Sequence, residues 1–389
     1  MKHDVVIAGI GQTEVGEHWD ISLRELAFFA VEKARADAAG LRPQALYVGN
    51  MLGAALSHQS HLGTLVADFS GLQGIEASTV EAAGASGGLA LRFGYLAVAS
   101  GMVDTALVVG AEKLTDQTDA NVEAAMGSLT DADYEAEQGM TATSQAALLM
   151  RRYMHEYGVS RDAFAGFPVT SHANGVANPN AMFRQAIKAE TYAKVGPVSD
   201  PMNMFDIAPN ADGAAAILLT RRELLPEKFP HPLIAITASS VATDTLALHD
   251  RPNPLLFSAA RLSVERALKQ ADLSIEDLDF FELFDAFSIY SALSLEAAGF
   301  AGQGEGWKLA ENGAISLQGK LPITTFGGLK ARGNPGGATG VYQVVEAALQ
   351  LRGQAGDNQV AEAKTALVQS MGGPAATVAT HILQLIEKD

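Results

Sequence analysis

Val80-Glu81-Ala82-Ala83-Gly84-Ala85-Ser86-Gly87-Gly88 is a run of small residues that leads into an apolar stretch, 87–100, closed by Gly101. The apolar stretch reads as a helix and the run before it as a glycine-rich turn. The second half of the chain repeats the device. Gly333-Asn334-Pro335-Gly336-Gly337-Ala338-Thr339-Gly340 precedes a second apolar helical pattern over 339–351. Two such turns, each opening an apolar helix, predict an old internal duplication.

Strands and helices alternate outward from the first turn. Residues 5–10 read as a buried strand ending in Gly9 and Gly11. Residues 22–39 read as a helix, because Leu23, Leu26, Ala27, Ala30 and Val31 recur at helical spacing before Gly40. Short strands are expected at 45–49, 105–110 and 214–220. Residues 116–205 break the pattern and carry Asn178-Pro179-Asn180; they read as an inserted loop domain with a helix over 144–157. The second half offers strands at 233–237, 278–283, 365–369 and 375–382, with helices at 258–271, 288–298 and 339–351. This is an α/β fold of two similar halves, 1–232 and 233–389, each a mixed sheet with helices, in a layered arrangement.

The chain has 389 residues, of which 48% are hydrophobic, and a formal net charge of -17. That length suffices for a large core, and that charge opposes binding to nucleic acid or an anionic membrane surface. The chain contains no cysteine, which excludes disulfides, zinc–cysteine sites and thiolate catalysis. Met1-Lys2-His3-Asp4 runs directly into the first strand, unlike a signal peptide. No run of about 18 apolar residues is present to cross a membrane, so the expected compartment is the cytoplasm.

Six segments in order resemble the thiolase superfamily, and most closely its sterol-carrier-protein-2-like branch of bacteria and archaea. They are the Gly84 turn; Ser171-His172-Ala173-Asn174-Gly175-Val176-Ala177-Asn178-Pro179; Asp212-Gly213-Ala214-Ala215-Ala216; Glu282-Leu283-Phe284-Asp285-Ala286-Phe287-Ser288; the run from Gly327 through Gly333-Asn334-Pro335 to Gly340; and Gln369-Ser370-Met371-Gly372-Gly373. The likeness spans residues 5–385. It implies a thiolase fold, a coenzyme A thioester as substrate or ligand, and no other cofactor or metal. It also implies a homodimer or tetramer, a role in lipid metabolism, and a small zinc-ribbon/OB-fold partner protein. A family label would read acetyl-CoA acetyltransferase.

The family's reactive residues do not carry over. Gly84 stands where the family places its nucleophilic cysteine, Asn334 where it places the histidine of Gly-His-Pro, and Phe284 where it places Asn or His. The two alternative positions of the second acid–base cysteine hold Ser370 and Ala286. Backbone donors at Gly84 and Gly372 survive such replacement, and Asn334 can still donate a hydrogen bond to a carbonyl. Phe287 corresponds to the residue flanking pantetheine. Some relatives look like aldolases that rely on tyrosine, and Tyr290 and Tyr342 lie near the relevant motifs. The expected catalytic residues are therefore Asn334, Tyr290 and Tyr342. The expected substrate-binding residues are Gly84, His172, Phe284, Phe287, Ser370 and Gly372.

Plainer roles stand beside these. Tyr290 and Tyr342 fit core positions in apolar helices, His172 a structural histidine, and Asp285 a buried carboxylate bonded to backbone. Ser86 and Ser370 have no motif-matched histidine to activate them. His58 and His61 have neither helical nor zinc-ligand spacing. Two readings stay open: an enzyme on acyl-CoA that works without a covalent intermediate, by retro-aldol or enolate chemistry, and a catalytically inert homologue that binds CoA or serves as a scaffold subunit.

Overall fold

The computed structural model describes residues 4–311 and 313–387. Its strands are β1 (Val5–Gln12), β2 (Ala45–Gly49), β3 (Glu76–Val80), β4 (Thr105–Glu112), β5 (Pro197–Ser199), β6 (Met202–Asn203), β7 (Gly213–Arg221), β8 (Leu233–Thr243), β9 (Phe280–Glu282), β10 (Thr365–Gly372) and β11 (Thr377–Ile386). Nine of them form one hydrogen-bonded sheet in the order β3-β2-β4-β7-β1-β8-β11-β10-β9. Each half is mixed. β2 runs parallel to β3 and β4, while β7 is antiparallel to β4 and β1. In the second half β10 is antiparallel to β11 and parallel to β9. The halves join edge to edge at β1 and β8, through the pair Val6–Ala235. Such a junction has no signature in either strand's sequence.

Both faces of this sheet are buried, and the alternation along one strand shows how. In β7, Ala215, Ile217 and Leu219 enter one apolar cluster, while Ala214, Ala216 and Leu218 enter another, as the period of two requires. The second cluster is closed by the helix Leu23–Asp37, which buries Leu23, Leu26, Ala27, Ala30, Val31 and Ala34. Ser22 caps that helix and its backbone N–H is returned to Glu25 Oε2 at 2.8 Å, a capping box. The first cluster gathers the inner faces of both halves around the helices Ser86–Ala99 and Thr339–Leu351. Each fully buried Val, Leu or Ile contributes about 1.5–3 kcal/mol, so this shared centre holds the halves together.

The two central helices cross at their N-terminal turns. A Cβ on Gly340 would lie 2.4 Å from the Gly88 backbone nitrogen, so only glycine permits this approach. The two glycine-rich turns are thereby brought side by side.

The expected strands at 5–10, 45–49, 105–110 and 214–220 are all present, β1 and β4 reaching on to Gln12 and Glu112. β9 is shorter than expected, and β8 and β11 run further. β3 was not expected: its residues are mostly exposed, so it lacks an apolar alternation. Residues 116–205 contain the helices Asp119–Gly127, Ala142–Tyr157, Gly166–Gly175 and Ala189–Lys194, and the β5–β6 pair.

Candidate active site

After β3 the chain turns sharply. Ala83 takes a left-handed conformation (φ 50°), and its N–H donates to Glu81 Oε1 at 2.6 Å. Ser86 Oγ donates to Ala83 O at 2.6 Å and accepts from Ala82 N–H at 2.9 Å. These bonds fix Gly84 at the entry to the Ser86–Ala99 helix. Ser86 is thus a turn fastener, its hydroxyl already engaged.

Opposite Gly84 lies the loop after β9. Asp285 anchors it from behind, accepting from Leu329 N–H at 2.7 Å and Ser171 Oγ at 3.1 Å. Burial pushes the Asp285 carboxyl above its ordinary pKa. With Asp285 turned inward, Phe284, Ala286 and Phe287 face a cavity of about 130 Å³. The second glycine-rich turn closes the wall. Asn334 N–H donates to Pro209 O at 3.0 Å, and Thr339 Oγ1 donates to Asn334 Oδ1 at 3.3 Å. The Asn334 carbonyl oxygen is therefore engaged, which leaves its Nδ2 donors for the cavity.

Gly84, Phe284, Phe287, Tyr290 and Asn334 all line this cavity. Five of the residues expected from the sequence are so brought together. Tyr290 packs edge-on to Phe287 and Phe257, with ring centroids 5.0 and 5.5 Å away. Its hydroxyl makes no hydrogen bond to the described residues, and burial pushes its pKa up. The phenol therefore stays protonated at neutral pH and can donate.

Four expected residues lie elsewhere. Tyr342 is buried in the central helix; its hydroxyl donates to Thr13 O at 3.1 Å, and its ring lies under the Arg332 guanidinium at 4.9 Å. His172 has Nδ1 3.2 Å from Gln185 O and stacks on Phe183; burial lowers its pKa. Ser370 is buried in β10, where its Oγ would meet any Cβ placed on Gly88 at 2.1 Å. Gly372 does not line the cavity itself, although its neighbours Met371 and Gly373 do.

One relationship in this site bears on all the others. A Cβ on Gly84 would lie 2.7 Å from Phe284 Cζ and 2.5 Å from Met371 O. The space a side chain at position 84 would need is filled by an aromatic ring and a carbonyl.

Three polar residues of the site had no motif to reveal them. Glu112, at the end of β4, is fully buried and accepts from Asn50 Nδ2 (2.8 Å), Met51 N–H (2.7 Å) and Gly337 N–H (3.1 Å). Burial raises its pKa to about 7. It ties the loop after β2 to the second glycine-rich turn, and Met51 and Gly336 of those segments line the cavity. Glu123 and Gln145 reach the cavity from the segment read as a loop domain. The Gln145 Nε2 is buried without a hydrogen-bond partner.

Comparison with known proteins fits this architecture. The thiolase N-terminal domain matches residues 5–223, and the thiolase C-terminal domain-like family matches residues 240–385. The chain belongs to the thiolase family. It is 40% identical to an acetyl-CoA acetyltransferase of Methanothermobacter thermautotrophicus over 97% of this chain and 99% of that one. It is 28% identical to sterol carrier protein 2 of Bos taurus over 98% of this chain and 72% of that one, which places this thiolase on the sterol-carrier-protein-2-like side of the superfamily. Among solved structures it matches an Ltp2-ChsH2(DUF35) aldolase with a TM-score of 0.83 and 25% identity, covering 99% of this chain and 98% of that one. No group of His, Cys, Asp and Glu able to hold a metal ion occurs among the described residues. No helix among them is long and apolar enough to cross a membrane.

Proposed function

We propose that this thiolase-family protein binds an acyl-CoA thioester in the Gly84 cavity and performs carbon–carbon bond chemistry there without an acyl-enzyme. The observation that carries this reading is the filled space at Gly84, where Phe284 and Met371 O leave no room for a nucleophile, in a chain with no cysteine. Acyl transfer through an enzyme thioester has no atom to form on. Enolate chemistry needs only a polarised thioester and a proton acceptor. Asn334 Nδ2 is the side-chain donor for the thioester oxygen, supported by the hold of Thr339 on its other amide atom. Phe287 and Phe284 offer apolar surface to the acyl and pantetheine chains, and Tyr290 a hydrogen-bond donor. Tyr342, Ser370 and His172 then have structural roles.

The likeness to the Ltp2-ChsH2(DUF35) aldolase supports the same chemistry and a small protein partner for this chain. A homodimer or tetramer in the cytoplasm, with halves at 1–232 and 233–389 and residues 116–205 inserted in the first, completes the proposal. An inert CoA-binding or scaffold subunit is the second reading, favoured by the same filling of the nucleophile's space. Calorimetric titration with acetyl-CoA and 3-hydroxybutyryl-CoA tests the binding claim. Saturable heat that free CoA competes away is expected; absence of heat with both thioesters refutes it.

A further inference from the structure

The cavity wall is mainly apolar, formed by Met51, Met126, Leu129, Ile207, Phe287 and Met371. Only two of its lining side chains titrate, Glu123 and Tyr290. The buried Tyr290 phenol holds its proton, and the amides of Asn334, Asn210 and Gln145 accept none at neutral pH. The cavity-lining residues of the Gly84 turn and β10, Ala83, Gly84 and Met371, carry no base. Among the lining side chains, Glu123 is the one available to remove a proton inside this cavity.

Its placement suits that task. Glu123 projects from the helix Asp119–Gly127, which is packed beside the buried Leu52, Leu56 and Leu114 through Val122. The carboxylate is half-buried and makes no ion pair or hydrogen bond with the described residues, unlike Glu112 and Asp285, whose oxygens are committed to backbone N–H groups. Burial, with a smaller contribution from Asp119, raises its pKa, which strengthens it as a base. Gln145 also lines the cavity and contributes a buried Nε2 that no acceptor among the described residues engages.

We propose that Glu123 is the proton carrier of the cavity and that the thioester it serves is a β-hydroxyacyl-CoA. This rests on the non-covalent reading above. Glu123 takes the β-hydroxyl proton. The Cα–Cβ bond breaks, the hydroxyl oxygen becomes the carbonyl of a departing aldehyde or ketone, and the bonding pair passes to the thioester as an enolate held by Asn334 Nδ2. Glu123 then returns the same proton to Cα, giving the shortened acyl-CoA. One proton moves from oxygen to carbon, and no oxidant, reductant or water is consumed. Gln145 Nε2 donates to the substrate's β-oxygen.

The test uses the full-length chain with 3-hydroxybutyryl-CoA and 3-hydroxy-3-phenylpropionyl-CoA, following acetaldehyde or benzaldehyde release beside calorimetric affinity. The wild type is expected to release aldehyde from at least one. Glu123→Gln is expected to lower kcat by about 10²–10⁴-fold with affinity and KM nearly unchanged, and Glu123→Asp to restore part of the loss. If the wild type binds both thioesters yet cleaves neither, or if Glu123→Gln stays within about tenfold of wild-type kcat, Glu123 is not the proton carrier and thioester binding still stands. If neither thioester binds, both the binding reading and this one fall.

Discussion

Phe284 Cζ lies 2.7 Å from the point a Cβ on Gly84 would occupy. The two positions are interdependent: a side chain at 84 and the ring at 284 exclude each other. Any change at position 84 is therefore also a change in the packing of the ring. Placing a thiol at 84 alone forces either the ring or the Met371 carbonyl to move.

Gly84→Cys is expected to destabilise the fold by about 1–3 kcal/mol through overpacking and to show no thiolytic activity. Shortening the ring should relieve part of this. Phe284→Leu is expected to cost less in the Gly84→Cys background than in the wild type, with a coupling of about 0.5–3 kcal/mol in a urea-denaturation cycle. Additive losses would mean that the two positions do not compete for space.

The two tyrosines expected from the sequence should separate cleanly. Tyr342→Phe breaks the bond to Thr13 O and strands a buried carbonyl, so it is expected to cost about 1–3 kcal/mol of stability and leave acyl-CoA affinity unchanged. Tyr290→Phe removes a hydroxyl with no partner among the described residues. It should leave stability almost unaltered while lowering turnover. Thermal melts and aldehyde release measured on both variants check this; reversed effects would exchange their roles.

Asn334→Ala removes the side-chain donor for the developing enolate oxygen. Loss of one such donor typically lowers kcat by about 10²–10³-fold. Affinity for a saturated acyl-CoA should change far less, because the donor acts on charge that exists only during reaction. An equal loss in both would make Asn334 a simple binding residue.

Stability should fall on mild acidification because of His381. Its Nε2 lies 3.0 Å from Gly88 O, and its Nδ1 is buried without a partner. Nε2 must therefore carry the proton, and burial lowers the pKa from 6.5 to about 4. The unfolded imidazole binds a second proton below 6.5, and the folded one only below about 4. The contribution is whole above pH 6.5 and is lost as pH falls through 4, amounting to about 3 kcal/mol. Urea midpoints between pH 7 and 4 should show this slope, and His381→Gln should flatten it. An unchanged slope in the variant would place the acid sensitivity elsewhere.

Much of the fold was legible because its signals are local. β1, β4 and the helix Ser288–Ala298 are apolar runs bounded by glycine or polar residues, and the two glycine-rich turns mark where the central helices begin. β3 escaped because an exposed edge strand carries no apolar period. The union of the two half-sheets at Val6 and Ala235 escaped because edge pairing leaves no mark on composition. Gly84, Phe284, Phe287 and Asn334, from the quoted motifs, and Tyr290, close by one, all line the cavity. Tyr342 was not separable from Tyr290, since both sit on helices buried on nearly every face. Glu123 and Gln145 were invisible for a different reason. They occupy a segment without motif residues, and only the folding of that segment over the cavity brings them to it.

The absence of an acyl-enzyme is tested most directly by intact-mass measurement of the full chain after incubation with acetyl-CoA at neutral pH. The expected result is the unmodified mass, with no acetoacetyl-CoA formed. A stoichiometric acetyl adduct that is discharged to acetoacetyl-CoA would show a nucleophile that neither Gly84 nor its surroundings supply, and would contradict non-covalent chemistry in this cavity.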